Sequence, residues 1–360
     1  MDLPLNTGRR AFGLDVLRVL AVSSVLVAHC NFPFLPLTGA VEAWQLAGHY
    51  GVELFFALSG YLLGNAMVRA AQAGAAEVRT FWLRRALRTM PAYYLFLFIN
   101  WTLPTPDGVY PPIAPYFVFL QSALHPPGMF FLESWSLCVE EVFYLVAPLL
   151  MVPVVRGMVH PRRLYVLFGV VIACAATARV VAAFRYNLEW DAMRMVLALR
   201  LDAIWYGVAV AVAQRHLRWT PSMLRALAVA GVVSFVASIV LVALFPRAQP
   251  VPAHAWWFVL APASFALVMP HAATWAAPGE RVARLVREGA DISYGLYLTQ
   301  LVVLRFLLLE LGWRPITLAG CLAQMIALVV LSVASAWLVR HAFEVPILRW
   351  RDRVFPQRAV

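Results

Sequence analysis

Long apolar segments recur along the whole chain, and they limit the folds that are open to it. Of its 360 residues, 62% are hydrophobic and only 13% are charged, whereas soluble domains average roughly 25% charged residues. A run of about 20 apolar residues can cross the hydrocarbon core of a bilayer as a helix. The sequence therefore predicts an all-α fold, a polytopic membrane bundle of about ten transmembrane helices. The predicted spans are roughly 12–30, 50–68, 89–103, 135–155, 164–184, 196–213, 224–245, 254–275, 292–311 and 316–340.

The distribution of arginine orients these predicted spans. All 29 basic residues are Arg, and with the N-terminus inside, 21 of them lie in cytoplasmic loops and tails or at the cytoplasmic ends of spans, against four in outer loops. Because basic residues concentrate on the cytoplasmic side of membrane proteins, both termini are predicted to be cytoplasmic. The predicted domains are an N-terminal tail over 1–11, a transmembrane domain over 12–341 and a C-terminal tail over 342–360.

One further apolar patch, residues 113–124, does not fit this count of ten. It is short and flanked by proline, and an eleventh crossing would invert everything after it. We therefore predict a re-entrant or interfacial segment. We also expect no cleaved signal peptide, since Asp15 and Arg18 interrupt the first apolar run, and no soluble domain at either end.

Composition excludes several classes of function. Topology accounts for the net charge of +11, so no nucleic-acid partner is expected. The chain has no Lys, which excludes a Walker-type phosphate loop and Schiff-base chemistry. Its four cysteines show no metal-ligand spacing, so no metal site is predicted.

Ionisable side chains inside membrane spans are costly and therefore indicate function. In the first predicted span, Arg18 and His29 are eleven residues apart, which places them on one helix face about 16 Å apart along the axis. His29 is predicted near the outer surface, at a depth that Glu53, Glu140 and Glu141 share. A histidine beside a carboxylate can act as a general base. The alternative is a buried polar network that only orients helices.

Two further groups of charged residues are candidates. Arg84, Arg85 and Arg88 lie at the predicted cytoplasmic entrance of the third span, where they could bind phosphate or simply anchor the helix. Arg200 and Asp202 open the sixth predicted span. Because residues two apart do not face each other on a helix, we expect each of them to have its own partner.

Seven motifs follow one another over nearly the whole chain. They are Arg18-x10-His29, Leu54-Phe55-Phe56-Ala57-Leu58-Ser59-Gly60-Tyr61-Leu62, Arg84-Arg85-x-x-Arg88-x-x-Pro91, Trp135-Ser136-Leu137-x-Val139-Glu140-Glu141-x-Phe143-Tyr144, Arg200-x-Asp202, Ser293-Tyr294-x-x-Tyr297-Leu298 and Glu344-x-Pro346. This ordered set resembles the acyltransferase 3 family of integral-membrane acyltransferases. One position departs from the family pattern: Gln300 stands where His is frequent, so no ionisable role is predicted there.

The resemblance implies a ten-helix enzyme of the bacterial inner membrane. Such an enzyme transfers an acyl group, expected to be acetyl, from cytosolic acyl-CoA to a hydroxyl of a carbohydrate, glycolipid or small-molecule acceptor at the outer face. Catalytic roles are implied for His29, for Glu140 as the residue that orients its ring, and for Arg18 beside the path of the pantetheine arm. The implied CoA-binding residues are Arg84, Arg85 and Arg88. The implied substrate-binding or supporting residues are Glu53, Ser59, Glu141, Tyr144, Arg200 and Asp202.

Two other functions compete with this interpretation. Polar groups inside the bilayer and helices interrupted by Gly or Pro also describe a secondary transporter or an export protein for a small polar or glycosylated molecule. No internal repeat is evident in the sequence, which counts against that class. A regulatory or scaffold membrane protein is the third possibility, and it predicts that replacement of His29 by Ala leaves every activity intact.

Overall fold

The computed structural model describes residues 10–38, 42–155, 162–245, 247 and 252–356, and within these residues the protein is helical without any strand. The longer helices are α1 (Phe12–His29), α2 (Glu42–Ala73), α3 (Ala75–Thr102), α4 (Ser134–Val155), α5 (Arg162–Tyr186), α6 (Trp205–His216), α7 (Pro221–Leu244), α8 (His254–Ala272), α9 (Glu280–Arg305), α10 (Leu318–Val339) and α11 (Val345–Val354). The shorter helical segments are Phe32–Phe34, Leu35–Thr38, Ala114–Phe117, Met129–Phe131, Trp190–Met195 and Leu197–Leu199, and π-helical turns over Phe306–Glu310 and Arg340–Glu344 extend α9 and α10.

The helices form a multi-pass membrane protein. Eight helical segments within the described ranges are long and apolar enough to cross a membrane. In the segment Pro221–Leu244, only 17% of the most apolar window is buried inside the protein. An apolar surface this exposed needs lipid around it. The predicted all-α membrane bundle is therefore confirmed, whereas the number of crossings and the side of each terminus stay predictions.

Helix α2 lies at the centre of the bundle. It packs against α1, α3, α4, α6 and α8, while α1 also packs against α9. Glycine permits the close crossing of α2 and α6. A Cβ atom on Gly60 would lie 2.1 Å from the carbonyl oxygen of Ile204, and one on Gly207 would lie 2.0 Å from that of Ala57. Since no side chain tolerates such distances, these two glycines determine how closely the helices approach.

The predicted span 196–213 is wrong as a continuous helix. The chain forms a turn of helix over Leu197–Leu199, then non-helical turns, and α6 begins only at Trp205. A helix of 12 residues is about 18 Å long, so α6 can cross roughly 30 Å of hydrocarbon only together with the irregular segment before it. Arg200 and Asp202 are completely buried in this break, where each has a partner on another helix.

The apolar patch 113–124 forms backbone hydrogen bonds with the break before α6. It contains only the short helix Ala114–Phe117 followed by turns, which confirms that it is not a spanning helix. The backbone N–H of Leu197 donates to the carbonyl of Ser122 at 2.8 Å, and that of Ala198 to the carbonyl of Ala123 at 3.4 Å. Irregular backbone is tolerated at membrane depth where its N–H and C=O groups form hydrogen bonds within the protein. The two irregular segments provide such hydrogen bonds to each other.

The other predicted spans correspond to observed helices with shifted ends. The predicted spans 50–68 and 292–311 lie in longer helices, α2 and α9 with its π-helical turn. The predicted span 89–103 is the C-terminal part of α3. Most of the predicted C-terminal tail is helical as well, because α11 covers Val345–Val354. The tail over 1–11 lies largely outside the described residues.

Candidate active site

Three cavities follow one another through the bundle. The first, the arginine cavity, measures about 740 Å³ and is bordered by α2, α3 and the C-terminal segment. The second, the central cavity, measures about 200 Å³ and lies between α1, α2, α3, α4 and α9. The third, the histidine cavity, measures about 290 Å³ and contains His29 at the end of α1.

The three cavities share lining residues, and these join them into a series. Arg18, Arg85 and Arg88 line both the arginine cavity and the central cavity. Val52 and Tyr297 line both the central cavity and the histidine cavity, so they lie between the two. The arrangement therefore leads from the arginine cavity to His29, with Tyr297 at the last partition.

The partition is held by hydrogen bonds between α4 and α9. The hydroxyl of Tyr297 lies 2.6 Å from Oγ of Ser136 and donates to the carbonyl of Glu133 at 3.1 Å. The hydroxyl of Ser136 also donates to that carbonyl at 3.1 Å. Tyr297 is thus fixed to the start of α4, although its ring faces cavities on both sides.

The arginine cavity has excess positive charge. It is lined by six arginines, Arg18, Arg69, Arg84, Arg85, Arg88 and Arg351. The guanidinium of Arg84 donates to the Asp352 carboxylate at 2.9 Å and to the carbonyl of Phe355. In the part of the chain that the structure describes, Arg69 and Arg88 have no hydrogen bond or ion pair. These two guanidinium groups are available to an anionic ligand.

Four predicted site residues meet in the central cavity. Oε1 of Glu140 accepts hydrogen bonds from Tyr144 at 2.8 Å, from Arg85 at 3.3 Å and from the hydroxyl of Ser59. The Arg85 guanidinium also lies 4.1 Å from the centre of the Tyr144 ring. Glu140 therefore positions Arg85 at the entrance to the cavity.

The predicted pairing of Glu140 with His29 does not form. Glu140 lines the central cavity, whereas His29 lines the histidine cavity together with Glu133. The reason is the rise of α4, since seven residues of helix separate Glu140 from Glu133 by about 10 Å. The carboxyl groups that share a cavity with His29 are therefore those of Glu133 and Asp191. Sequence reasoning missed Glu133, although it lies two residues before the motif that begins at Trp135.

Gln300 lies within polar contact of the His29 side chain. Its amide Nε2 donates to the carbonyl of Tyr297 at 3.3 Å, and its side chain is completely buried. The residue at the position where the motif pattern departs from its family is thus a neighbour of His29. Nδ1 of His29 is buried and has no hydrogen-bond partner among the described residues.

A second polar cluster supports the site without lining it. Nη2 of Arg200 donates to both carboxylate oxygens of Glu53 at 2.5 and 2.7 Å. Arg179 forms two hydrogen bonds of 2.6 Å with the Asp202 carboxylate. All four side chains are at most 1% exposed, and none of them lines the three cavities. Arg200 and Asp202 do have separate partners, as expected, and their position indicates a supporting rather than a substrate-binding role.

Glu141 lines none of these three cavities. It lines a fourth cavity with Trp82, and Arg85 and Tyr144 border both this cavity and the central one. Its neighbour Glu140 faces the central cavity, because adjacent residues of a helix differ by about 100° in direction. The structure therefore separates two carboxylates that the sequence places together.

A protein-family model described as "Acyltransferase domain" matches residues 12–341. The chain belongs to this family. The match covers α1 to α10, and with them every residue named above in the central and histidine cavities. No solved structure matches the chain.

Two relatives illustrate what the chain is similar to. It is 26% identical over 233 residues to "Putative peptidoglycan O-acetyltransferase YrhL" of Bacillus subtilis (strain 168), a match that covers 54% of this chain and 33% of the relative. It is 27% identical over 263 residues to "Peptidoglycan O-acetyltransferase OatA" of Listeria monocytogenes serovar 1/2a, covering 66% of this chain and 40% of the relative. The chain thus spans well under half the length of the curated relatives it matches.

Proposed function

We propose that this chain is a membrane O-acetyltransferase that takes an acetyl group from cytosolic acetyl-CoA and transfers it to a hydroxyl of a carbohydrate at the outer face of the bacterial inner membrane. The observation that carries the proposal is the series of cavities, with unpaired arginines at one end and His29 at the other. The names of the two relatives support an acetyl group and a glycan acceptor.

The arginine cavity suits the phosphates of acetyl-CoA. A volume of about 740 Å³ lies within the range of roughly 300–1,000 Å³ typical of ligand sites. Arg69 and Arg88 form no ion pair among the described residues, and a guanidinium can bind phosphate through two parallel hydrogen bonds. We assign Arg84 a smaller part, because Asp352 already binds its guanidinium.

The central cavity suits the arm that carries the acetyl group. Its walls combine Phe55, Phe56 and Leu63 with the polar cluster around Arg85 and Glu140. Nε of Arg85 is buried and has no hydrogen-bond partner among the described residues. It can therefore bind a carbonyl oxygen in the cavity, where a low dielectric strengthens the interaction.

His29 provides the base that the transfer requires. A neutral imidazole accepts the proton of the acceptor hydroxyl as its oxygen attacks the thioester carbonyl. The new C–O ester bond forms, the C–S bond breaks, and the imidazolium returns the proton to the departing thiolate. In this proposal Tyr297 marks the point at which the acetyl group and the acceptor meet.

The decisive experiment measures acetyl-CoA turnover by the full chain in nanodiscs. Radiolabelled acetyl-CoA is supplied, and free CoA and acetylated glycan are quantified with peptidoglycan fragments as the acceptor. We expect CoA release that is stimulated by the acceptor and lost in His29→Ala. Absence of CoA release and of product with well-folded protein would contradict an acetyltransferase and favour a transporter.

A further inference from the structure

Glu133 has a buried carboxyl group in the cavity that contains His29. The residue is 4% exposed and lines the histidine cavity together with His29 and Tyr297. Its Oε1 atom has no hydrogen-bond partner among the described residues. The backbone carbonyl of Glu133 accepts the hydroxyl of Tyr297 at 3.1 Å. Glu133 therefore belongs to the partition at which the acetyl group is proposed to meet the acceptor.

The two arginines that share the cavity with Glu133 have their carboxylate partners elsewhere. Arg194 forms an ion pair of 2.9 Å with Asp191, and Arg247 forms one of 2.9 Å with Glu42. Within the described ranges, neither of them binds Glu133.

The other charged or titratable groups that face Glu133 come from several elements. They are His29 at the end of α1, His49 on α2, Tyr116 in the segment 113–124, and Tyr297 and Arg305 on α9. The guanidinium of Arg305, the cation of this group, donates to Asn100 and to the backbone carbonyls of Leu103, Pro104 and Phe130. In the described part of the chain, Glu133 thus forms no ion pair.

Burial without a bound cation favours the un-ionised form of Glu133. A carboxylate is costly to remove from water unless a cation or several donors compensate it. Burial raises the pKa of Glu133 to about 8, although a hydrogen bond with its own backbone and the charge of Arg305 oppose the shift. Near neutral pH the group is therefore mainly a carboxylic acid, which can donate a hydrogen bond through its O–H.

We infer that Glu133 donates this O–H to the carbonyl oxygen of the acetyl group during transfer. The acceptor oxygen bonds to the carbonyl carbon and gives its proton to His29, while an electron pair of the C=O bond moves to the carbonyl oxygen. Glu133 keeps its own proton and stabilises the new negative charge through the hydrogen bond. When the electron pair returns, the C–S bond breaks. This inference rests on the proposed function, because it assigns Glu133 to the acetyl transfer.

Arg85 acts on a different oxygen in this inference. Its guanidinium lines the central cavity, where it can bind a carbonyl of the arm that carries the acetyl group. Glu133 lies on the other side of Tyr297, in the cavity of the proposed base. The two hydrogen-bond donors therefore act at separate positions along the series of cavities.

The test measures acetyl transfer by the full chain in nanodiscs over a pH range that brackets the pKa of about 8. Radiolabelled acetyl-CoA is the donor, and peptidoglycan fragments are the acceptor. Glu133→Gln keeps the shape and a hydrogen-bond donor but does not titrate, whereas Glu133→Ala removes the donor. Glu189→Gln is the matched control, since Glu189 is exposed on the segment before Trp190 and its side chain makes no capping hydrogen bond.

We expect turnover of the wild type and of Glu189→Gln to fall about tenfold for each unit of pH above about 8, as Glu133 loses its proton. Glu133→Gln should be about tenfold slower at neutral pH, because an amide is a weaker donor than a carboxylic acid. It should also lack the alkaline decline, a change that misfolding cannot produce. Glu133→Ala should lose about a hundredfold to a thousandfold in kcat.

Infrared difference spectra provide a second measurement, which needs no turnover. The spectrum of the wild type minus that of Glu133→Gln should contain the C=O stretching band of an un-ionised carboxyl group at neutral pH. The band should disappear as the pH rises through about 8.

Three results would overturn the inference: absence of this band at neutral pH, an alkaline decline that persists in Glu133→Gln, or a decline toward acid pH that Glu133→Gln removes. The last would assign the role to an ionised carboxylate. Each of them, found with turnover in the wild type, leaves the proposed function standing. Absence of wild-type turnover while the band is present would reject the proposed function, and the role of Glu133 in it as well.

Discussion

The guanidinium of Arg85 lies 3.3 Å from Oε1 of Glu140, and this ion pair joins α3 to α4 at the entrance of the central cavity. The pair gives Glu140 a role other than assisting a histidine. It orients an arginine toward the place where the donor is proposed to bind. The site then has two polar centres, one around Arg85 and one around His29, with Tyr297 between them.

Glu140 and Arg85 are expected to act as one unit. Loss of a charged hydrogen bond of about 1.5–3 kcal/mol should lower turnover by about tenfold to a hundredfold in Glu140→Gln. Arg85→Ala should have a similar effect, and the double variant should be little worse than either single one. Steady-state kinetics with acetyl-CoA provide the measurement. Glu189→Gln is the control, because Glu189 is exposed and lines none of the three cavities. Effects that simply add would show that the two residues act independently.

Arg88 is expected to bind the donor. Arg88→Ala should raise the KM for acetyl-CoA by about tenfold to a hundredfold. Arg88→Lys should raise the KM less, because an ammonium keeps the charge but lacks the planar fork of a guanidinium. Arg163→Ala, an exposed arginine at the start of α5 that lines none of the three cavities, is the control. An unchanged KM in Arg88→Ala would remove this arginine from the donor site.

His29 is expected to be essential for transfer but not for folding. His29→Ala should abolish acetyl transfer while the melting temperature in detergent stays close to that of the wild type. Among the described residues the His29 side chain forms no ion pair, and its polar contact is with Gln300. His216→Ala, at the exposed end of α6, should retain activity. Near-normal turnover in folded His29→Ala would disprove the assignment.

The buried ion pair of Arg179 and Asp202 is expected to stabilise the folded protein. Arg179→Leu leaves a buried carboxylate uncompensated, which costs about 3–5 kcal/mol. The double variant Arg179→Leu/Asp202→Leu should melt at a higher temperature than Arg179→Leu alone. Asp352→Ala, which removes a carboxylate that is 54% exposed, should cost less than about 1 kcal/mol. Equal melting temperatures for Arg179→Leu and the wild type would refute this role.

Arginine placement predicts a topology that fusions can test. Reporter domains joined at residue 360 and within 156–163 are expected on the cytoplasmic side, and one within 185–195 on the outer side, because positive charge is retained inside. Protease accessibility in right-side-out vesicles provides a second measurement. A C-terminal reporter on the outer side would contradict the even number of crossings.

Much of the fold was predictable because hydropathy is a local property. Apolar runs located the cores of α1, α4, α5, α7 and α8, and the eleven-residue spacing placed Arg18 and His29 on one side of α1, where both line the series of cavities. The local motif around Glu140 also contained Tyr144, one of its hydrogen-bond donors. Such relationships lie within one helix, so periodicity alone determines them.

The remaining features depend on contacts between segments distant in sequence. The break at 196–204 exists because Arg200 and Asp202 bind Glu53 and Arg179 on other helices and because Leu197 bonds to Ser122. Likewise, only the tertiary arrangement decides that Glu133, rather than Glu140, shares a cavity with His29. The sequence by itself determined the helices and the kinds of polar group they carry. The tertiary structure decided which of those groups meet. A buried charge needs a partner of opposite charge, that partner lies on another segment of the bundle, and hydropathy does not identify it.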